Sequence, residues 1–234
     1  MSVTRFGISL KVGSMKAKVQ SSEQIREELF QRYPCLTFCG KEIDEAYRLI
    51  SECYRKDGKL LLAGNGGSAA DSDHFTGEMT KSFRFSRALD RGFEENLVDL
   101  YGDEGKELAE NLEGGLMAIP LTQFAAANTA FMNDVSPESA FAQLVQTFGR
   151  KEDVFVGIST SGNSKNIVKA LMAAKARGVR TICLTGKTGG RCKDLCDICI
   201  CVPETETFKV QELHLPVYHA LCSMVEADLF ESKV

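Results

Sequence analysis

The segment that decides the fold is residues 60–68, LLLAGNGGS, in which a short apolar run passes into a glycine-rich turn. The run from Leu60 to Ala63 is continuously apolar, as expected of a strand buried on both faces of a parallel sheet. The glycines permit turns that residues with a Cβ resist, and a helix is predicted to follow. Backbone N–H groups of such a turn, together with the helix dipole, can bind an anion. Taken alone, this signal is weak, because many such turns only reverse the chain.

Four more short apolar runs follow, each separated from the next by a helical pattern. They are Ala118 to Leu121, Val154 to Ile158, Thr181 to Leu184, and Ile198 to Val202. Buried strands that alternate with helices predict an α/β fold, a three-layer α-β-α sandwich with a five-stranded parallel sheet. Two N-terminal helices and a long C-terminal helix are expected to pack on it. Ser21 and Gln24 predict a capping box, and Ser136 and Ser164 are expected to cap two connecting helices.

The expected domain organisation is simple. Residues 1–20 are predicted to be a flexible N-terminal extension, and residues 21–234 a single domain. A charged segment at about residues 85–115 interrupts the apolar rhythm. We favour a solvated excursion with one short helix there; the alternative is a lid over a substrate.

Composition excludes several classes of partner. The net charge of -4 does not favour nucleic acid or anionic membranes, which select clustered Lys and Arg. No apolar run approaches the ~20 residues of a membrane span, so we expect a cytoplasmic protein. The nine cysteines are odd in number and irregularly spaced, which favours reduced thiols. Four of them lie at positions 192, 196, 199 and 201, and we interpret these as packing residues rather than as a zinc site.

A second turn strengthens the prediction of an anion site. The apolar run ending at Ile158 leads into Ser159, Thr160, Ser161 and Ser164 at another helix start. Several hydroxyl and backbone donors suit a phosphate monoester. Capping explains one of these side chains but not all four. Two such loops at the carboxyl ends of parallel strands define a crevice for a ligand, which indicates a phosphorylated substrate such as a sugar phosphate.

Two helices carry groups suited to proton transfer or metal binding. His74 and Glu78 are four residues apart on the first, and an ordinary exposed pair is the simpler interpretation of that spacing. On the C-terminal helix, Gln211 and His219 share a ridge but are separated by ~12 Å of helix rise, so a shared metal is only just feasible. His214 lies off that ridge and is assigned to packing or hydrogen bonding.

In combination, these residues resemble the sedoheptulose 7-phosphate (phosphoheptose) isomerases of the sugar isomerase (SIS) domain superfamily. The matching segments cover most of residues 40–230. They are Gly64 to Ser68, His74 with Glu78, Asn133 with Asp134, residues 157–164, residues 184–190, and Gln211 followed by His214 and His219.

The resemblance implies an SIS-type fold that forms a homotetramer with active sites at subunit boundaries, and it implies a phosphorylated heptose as substrate. The pathway that this family serves would supply heptose for lipopolysaccharide and other glycans. Glu78 and His219 match the family's catalytic acid/base pair, and His74, Glu78, Gln211 and His219 match its zinc ligands. The predicted substrate-binding residues are Asn65, Gly66, Gly67, Ser68, Asn133, Asp134, Ser159, Thr160, Ser161, Ser164 and Gln211.

The chain departs from the family at Ser82, where the family has an Arg, and at Phe208, where it has an Asp. Two other functions remain open. A non-catalytic relative binds phosphosugars or the replication initiator, but it lacks the catalytic pair that Glu78 and His219 would supply. An isomerase of a smaller aldose phosphate would share the loops without needing the four-residue metal set.

Overall fold

The structure, a computed structural model, describes residues 20–230, so the predicted extension lies outside the described residues except for Gln20. The helices are α1 (Ser22–Arg32), α2 (Gly40–Arg55), α3 (Gly67–Thr80), α4 (Arg91–Tyr101), α5 (Asp103–Glu110), α6 (Ala125–Asp134), α7 (Ala140–Phe148), α8 (Lys165–Ala176), α9 (Gly190–Leu195) and α10 (Thr207–Phe230). The strands are β1 (Leu60–Ala63), β2 (Ala118–Pro120), β3 (Val154–Ser159), β4 (Arg180–Thr185) and β5 (Ile198–Cys201).

The predicted parallel sheet is confirmed, and every strand end falls within one residue of its predicted position. The strands pair in the order β2-β1-β3-β4-β5, and each neighbouring pair is parallel. After β1 the chain adds β2 on one side and then returns to add β3 on the other. The carboxyl ends of β1 and β3 therefore flank a topological switch point, where open α/β sheets bind their ligands.

The three layers follow from the apolar character of the strands. Leu60 and Leu62 pack into a core shared with α1, α2, α3 and α10. Leu61 and Ala63 point to the opposite face, into a core shared with α7 and α8. Because successive side chains of a strand alternate between faces, a fully apolar strand is the form that fits between two helical layers.

The charged segment forms two helices, α4 and α5, where the sequence predicted one short helix. Asp90 caps α4 by accepting from the N–H of Phe93 at 2.9 Å. The segment returns to its starting point, because the N–H of Gly114 donates to the carbonyl of Arg87 at 3.1 Å. It is thus a closed excursion from the end of α3.

The capping predictions had mixed outcomes. Ser21 and Gln24 form the predicted capping box at α1 through reciprocal bonds of 3.3 and 3.0 Å. Ser136 and Ser164 stand at helix N-caps, but neither side chain bonds a helix N–H, so that prediction was wrong. Each hydroxyl pairs with another serine instead: Ser136 with Ser139, and Ser164 with Ser159, both at 3.0 Å.

Between residues 20 and 230, no helix has both the length and the apolar character needed to cross a bilayer.

Candidate active site

The glycine-rich loop is shaped by close backbone packing. A Cβ on Gly64 would lie 2.2 Å from the carbonyl oxygen of Ser68, so only glycine fits there. Gly66 has a φ of 56°, in the left-handed region that favours glycine. The loop leads directly into α3, whose N-terminus points at the carboxyl end of β1. Asn65, Gly66 and Gly67 are exposed, while Ser68 is buried. The exposed loop amides are available to an anion.

The serine-rich loop is equally constrained. Gly162 has a φ of 65°, and a Cβ there would lie 2.0 Å from the carbonyl oxygen of Gly189. Ser159 is buried and donates to Ser164, whereas Thr160 is half-buried and Ser161 is exposed. The N–H of Asn163 donates to Ser161 Oγ at 3.1 Å. These bonds fix the loop ahead of α8 and leave part of its hydroxyl capacity free for a ligand.

A pair of amide side chains joins the two loops. Asn65 Nδ2 donates to Asn166 Oδ1 at 3.0 Å, and Asn166 Nδ2 donates back to Asn65 Oδ1 at 2.8 Å. Asn65 belongs to the β1–α3 loop and Asn166 to the first turn of α8. The reciprocal pair therefore sets the spacing between the loops at the switch point. Sequence analysis missed Asn166, since a single Asn in a helix carries no pattern of its own.

His74, Glu78 and His219 come together from helices α3 and α10. His74 Nε2 lies 3.1 Å from Glu78 Oε1 and 3.4 Å from His219 Nε2. One ligand atom from each residue falls within 4.8 Å of both others. The Glu78 side chain is 13% exposed and that of His74 is 46% exposed. His74 and Glu78 form the i,i+4 pair that their spacing indicated, and His219 joins them to make a cluster of three.

Tyr218 orients His74 and was not singled out from the sequence. Its hydroxyl lies 2.9 Å from His74 Nδ1 and 3.4 Å from Asp71 Oδ1. The hydroxyl has one proton, and when it donates this proton to the Asp71 carboxylate it accepts from the Nδ1–H of His74. That tautomer leaves a lone pair on His74 Nε2, directed at Glu78 and His219. A hydroxyl between two charged or polar side chains explains why a tyrosine is buried here.

The donor set fits a divalent metal. In the tautomer that Tyr218 favours, the His74 Nε2 lone pair and Glu78 Oε1 are two acceptors only 3.1 Å apart, which repel unless a cation or a proton lies between them. Zinc bonds of about 2.0–2.1 Å at a tetrahedral angle separate neighbouring ligand atoms by roughly 3.3 Å, close to both measured separations. The Tyr218 hydroxyl on the other ring nitrogen is the kind of outer partner that metal-bound imidazoles have. The three side chains therefore have the donor types to hold a metal ion, with one ligand atom from each within 4.8 Å of the others.

Burial tunes the ionisable groups around this cluster. Loss of solvent, followed by the nearby His74, lowers the pKa of His219, so this imidazole is neutral at pH 7. Burial raises the pKa of Asp71 and, together with the neighbouring Asp71 carboxylate, that of Tyr218. The ammonium of Lys81 lies 3.5 Å from Glu78 Oε2.

A buried ion pair holds the end of α3, and sequence analysis did not find it. Arg87 and Glu226 are both fully buried, with Arg87 Nε 2.8 Å from Glu226 Oε1. Arg87 also donates to the carbonyl of Glu78 at 2.7 Å and to that of Met79 at 2.5 Å. Glu226 accepts from the backbone N–H groups of residues 83, 84 and 85. The pair thus ties the last turn of α3, which carries Glu78, to α10, which carries His219.

The sequence also singled out Gln211, Asn133, Asp134 and His214. Gln211 makes no side-chain hydrogen bond within residues 20–230, and its amide lies over Gly67, where a Cβ would come within 2.5 Å. Asn133 and Asp134 are exposed at the end of α6 and bond each other at 2.8 Å. His214 is fully buried, as the packing assignment expected, and burial lowers its pKa to about 4.

Two cavities adjoin the site. One, of about 370 Å³, lies between the glycine-rich loop and α6 and includes Asn65 and Asn166 in its lining. The other, of about 360 Å³, lies between α1 and α10 and includes His219, Arg32 and Arg84.

Ser82, where the family has an arginine, accepts from the N–H of Arg87 and so belongs to the segment held by Glu226. Phe208 is exposed.

Comparison with known proteins agrees with this geometry. The family profile of the SIS domain matches residues 126–224. The fold and the site thus define a protein with a sugar isomerase domain. A phosphoheptose isomerase of Aneurinibacillus thermoaerophilus is 36% identical over 219 residues, covering 94% of this chain and 96% of that protein. Phosphoheptose isomerase 2 of Campylobacter jejuni is 38% identical over 216 residues, covering 92% of each chain.

A solved structure of similar shape supports the same assignment. The phosphoheptose isomerase of Neisseria gonorrhoeae superposes with a TM-score of 0.66 at 32% identity, covering 88% of this chain and 93% of that one. The chain belongs to the phosphoheptose isomerase family, as the resemblance of its motifs predicted.

Proposed function

We infer that this protein is an aldose–ketose isomerase that interconverts sedoheptulose 7-phosphate and D-glycero-D-manno-heptose 7-phosphate. The observation that carries this inference is the convergence of His74, Glu78 and His219, within 4.8 Å of one another, in a chain of this family. A carboxylate and an imidazole at this separation can reach neighbouring atoms of one small substrate. Proton transfer between adjacent carbons needs that arrangement.

The two loops are proposed to bind the phosphate end of the sugar. Exposed amides of Gly66 and Gly67 and hydroxyls of the serine-rich loop supply donors at two helix N-termini. His74 lies seven residues into α3 from Gly67, a rise of ~10 Å, so the phosphate and the reacting carbons would occupy opposite ends of the site. An open-chain sugar phosphate with its carbonyl far from its phosphate matches that division.

Glu78 is proposed as the base. Its carboxylate takes the proton from the carbon beside the carbonyl, and neutral His219 donates an N–H proton to the carbonyl oxygen, giving a cis-enediol. Return of the proton to the former carbonyl carbon, with removal of the proton from the hydroxyl group on the carbon that was first deprotonated, completes the isomerisation. Each positioned group contributes about 10²- to 10⁴-fold in rate.

Zinc is the metal that we propose for the His74, Glu78 and His219 group, with Gln211 as the fourth predicted ligand. When bound, it would polarise the carbonyl as a Lewis acid. Chelation should then lower turnover, and added zinc should restore it.

The alternative of a non-catalytic phosphosugar-binding or initiator-binding protein has no supporting observation. Such a protein needs the loops but not a proton-transfer pair held in place by a buried ion pair. Arg87, paired with Glu226, donates to the backbone carbonyl of Glu78, so the buried pair supports the position of that residue.

Glu78→Gln tests the proposal. The amide keeps the size of the side chain but cannot take a proton, so turnover of sedoheptulose 7-phosphate should fall by about 10²- to 10⁴-fold with the fold unchanged. Lys81→Met is the matched control, because Lys81 contacts the same carboxylate without a role in proton transfer. Wild-type-like turnover by the Gln variant would remove Glu78 from the mechanism.

A homotetramer with shared active sites is proposed from the family resemblance. Asn133 and Asp134 support it, since they are exposed and bond only each other through their side chains within residues 20–230. In the tetramer, Asn133 and Asp134 would contact a substrate bound at the boundary with a neighbouring subunit. The molar mass in solution, measured by light scattering, tests this, and a monomeric active enzyme would refute it.

A further inference from the structure

The ring of His219 has few polar contacts that could hold it in one orientation. Among the described residues, its ring nitrogens make one such contact, with His74, and the two Nε2 atoms are 3.4 Å apart. That separation is at the long end for a hydrogen bond. The Ser223 hydroxyl donates to the backbone carbonyl of His219, which fixes the helix and not the ring. Packing must therefore supply most of the orientation of this imidazole.

Three aromatic rings contact the His219 imidazole. The ring centroids of His74 and Tyr218 each lie 4.9 Å from that of His219, and the centroid of Phe83 lies 5.3 Å away. All three distances fall in the range of favourable aromatic pairs. His74 belongs to the same cluster, and Tyr218 precedes His219 on the same helix. Phe83 comes from outside both helices, so it can fix the imidazole relative to the rest of the fold.

The backbone that carries Phe83 is held by the buried carboxylate of Glu226. The N–H of Phe83 donates to Glu226 Oε1 at 2.8 Å, and the N–H of Arg84 donates to Oε2 at 2.8 Å. The same carboxylate pairs with Arg87, which donates to the carbonyl of Glu78. One buried carboxylate therefore holds the supports of both Glu78 and the His219 ring.

The space beside His219 shows why such a support is needed. Phe83 and His219 line the same cavity of about 360 Å³ between α1 and α10. An imidazole next to an open cavity has room to turn away from His74 and Glu78. The Phe83 ring, tilted by 45° to the imidazole, occupies part of that room.

We propose that Phe83 is a positioning residue, which holds the His219 imidazole toward His74 and Glu78. Its role rests on the proposed function, in which His219 donates a proton to the carbonyl oxygen of the substrate. Phe83 acts through His219 and does not itself touch the reacting atoms. A displacement of about 1 Å in a reacting group can lower the rate by about 10²-fold, so a packing contact of this kind has a measurable effect on turnover.

Phe85 provides a matched control on the same segment. Like Phe83, it is half-buried and packs against the core shared with α10. Its N–H also donates to Glu226, at 3.2 Å. The Phe85 ring is not among the rings that contact His219. Truncation of either side chain therefore removes a similar core contact, but only truncation of Phe83 removes the support of the imidazole.

Steady-state kinetics with sedoheptulose 7-phosphate give the first test. Phe83→Ala should lower kcat by about 10- to 100-fold with little change in KM, because the predicted phosphate loops are untouched. Phe83→Leu keeps most of the apolar volume and should recover most of kcat. Phe85→Ala should keep the wild-type kcat. Circular dichroism and thermal melting show whether the two Ala variants are folded and similarly stable.

NMR of the metal-free protein gives a readout that is independent of activity. The chain has three histidines, so each imidazole signal can be assigned by single substitution. In Phe83→Ala, the His219 signals should shift, because the neighbouring ring current is lost, and broaden, because the imidazole samples more than one orientation. In Phe83→Leu they should shift but stay sharp. The signals of fully buried His214 should stay in place in all variants.

Three results would each overturn the proposal: wild-type kcat in Phe83→Ala, an equal loss of kcat in Phe85→Ala, or unchanged His219 signals in Phe83→Ala. If Phe83→Ala does not fold, unchanged His219 signals in Phe83→Leu would overturn it instead. A wild-type protein without isomerase activity, whose His219 signals still move in Phe83→Ala, would support the packing contact and overturn the proposed function.

Discussion

Glu226→Gln replaces one carboxylate oxygen by an NH2 group of similar size. Among such nearly isosteric substitutions in the site, it should destabilise the protein the most. The carboxylate accepts four hydrogen bonds, one from Arg87 Nε and three from the N–H groups of residues 83–85. Glutamine offers one acceptor and turns a donor toward the remaining groups. Arg87, fully buried, keeps its charge without a counterion.

The magnitude follows from that geometry. Removing one partner of a buried ion pair costs about 3–5 kcal/mol, because the other charge stays buried and unpaired. In a chain of 234 residues, each kcal/mol shifts the melting temperature by about 2–4 °C, so the expected drop is roughly 6–20 °C. Thermal unfolding followed by circular dichroism measures it. Glu212→Gln, an exposed change on the same helix, is the control and should stay within about 0.5 kcal/mol.

A double variant separates the buried charge from the loss of packing. Once Glu226 is Gln, replacing Arg87 by Met removes the unpaired cation, so the two changes should be less than additive by about 1–3 kcal/mol. Additive losses, or a Glu226→Gln variant that melts within 2 °C of the wild type, a shift of about 1 kcal/mol or less, would refute the reasoning.

Three further predictions concern neighbouring residues. Burial lowers the pKa of His214 to about 4 in the folded state, so between pH 6.5 and 4 the unfolded chain binds a proton that the folded chain does not. The free energy of unfolding should therefore fall as the pH drops through this range, by at most ~1.4 kcal/mol per pH unit. His214→Leu should flatten this slope in pH-dependent melting curves. Asn166→Ala leaves the Asn65 amide without its partner and should raise KM for the phosphosugar more than it lowers kcat, as initial-rate kinetics would show. Tyr218→Phe frees His74 Nδ1 and should weaken zinc binding about 10- to 100-fold in a competition titration, with little loss of stability.

Local patterns predicted the fold because they are repeated along the chain. Five apolar runs separated by helical periodicity define a parallel sheet without reference to any distant contact, and the strand ends follow closely. The misassigned caps show where local information ends. Ser164 has the residue type and the position of an N-cap, but Ser159 competes for its hydroxyl from across the loop. A bond between two loop residues depends on the folded turn, which spacing does not encode.

The candidate site was predictable to the extent that its chemistry lies on residue types that stand out in a sequence. A chain with three histidines invites attention to His74 and His219, and family resemblance joined them to Glu78. The supporting residues do not stand out, because a single Tyr, Asn, Arg or Glu on an otherwise ordinary helix has no periodic signature. Yet the Tyr218 hydroxyl lies 2.9 Å from His74 Nδ1, and Arg87, paired with Glu226, donates to the backbone carbonyl of Glu78. The candidate catalytic and metal-binding groups are thus recognisable from sequence, while the contacts that hold them in place arise only when residues more than 100 positions apart meet in the folded chain.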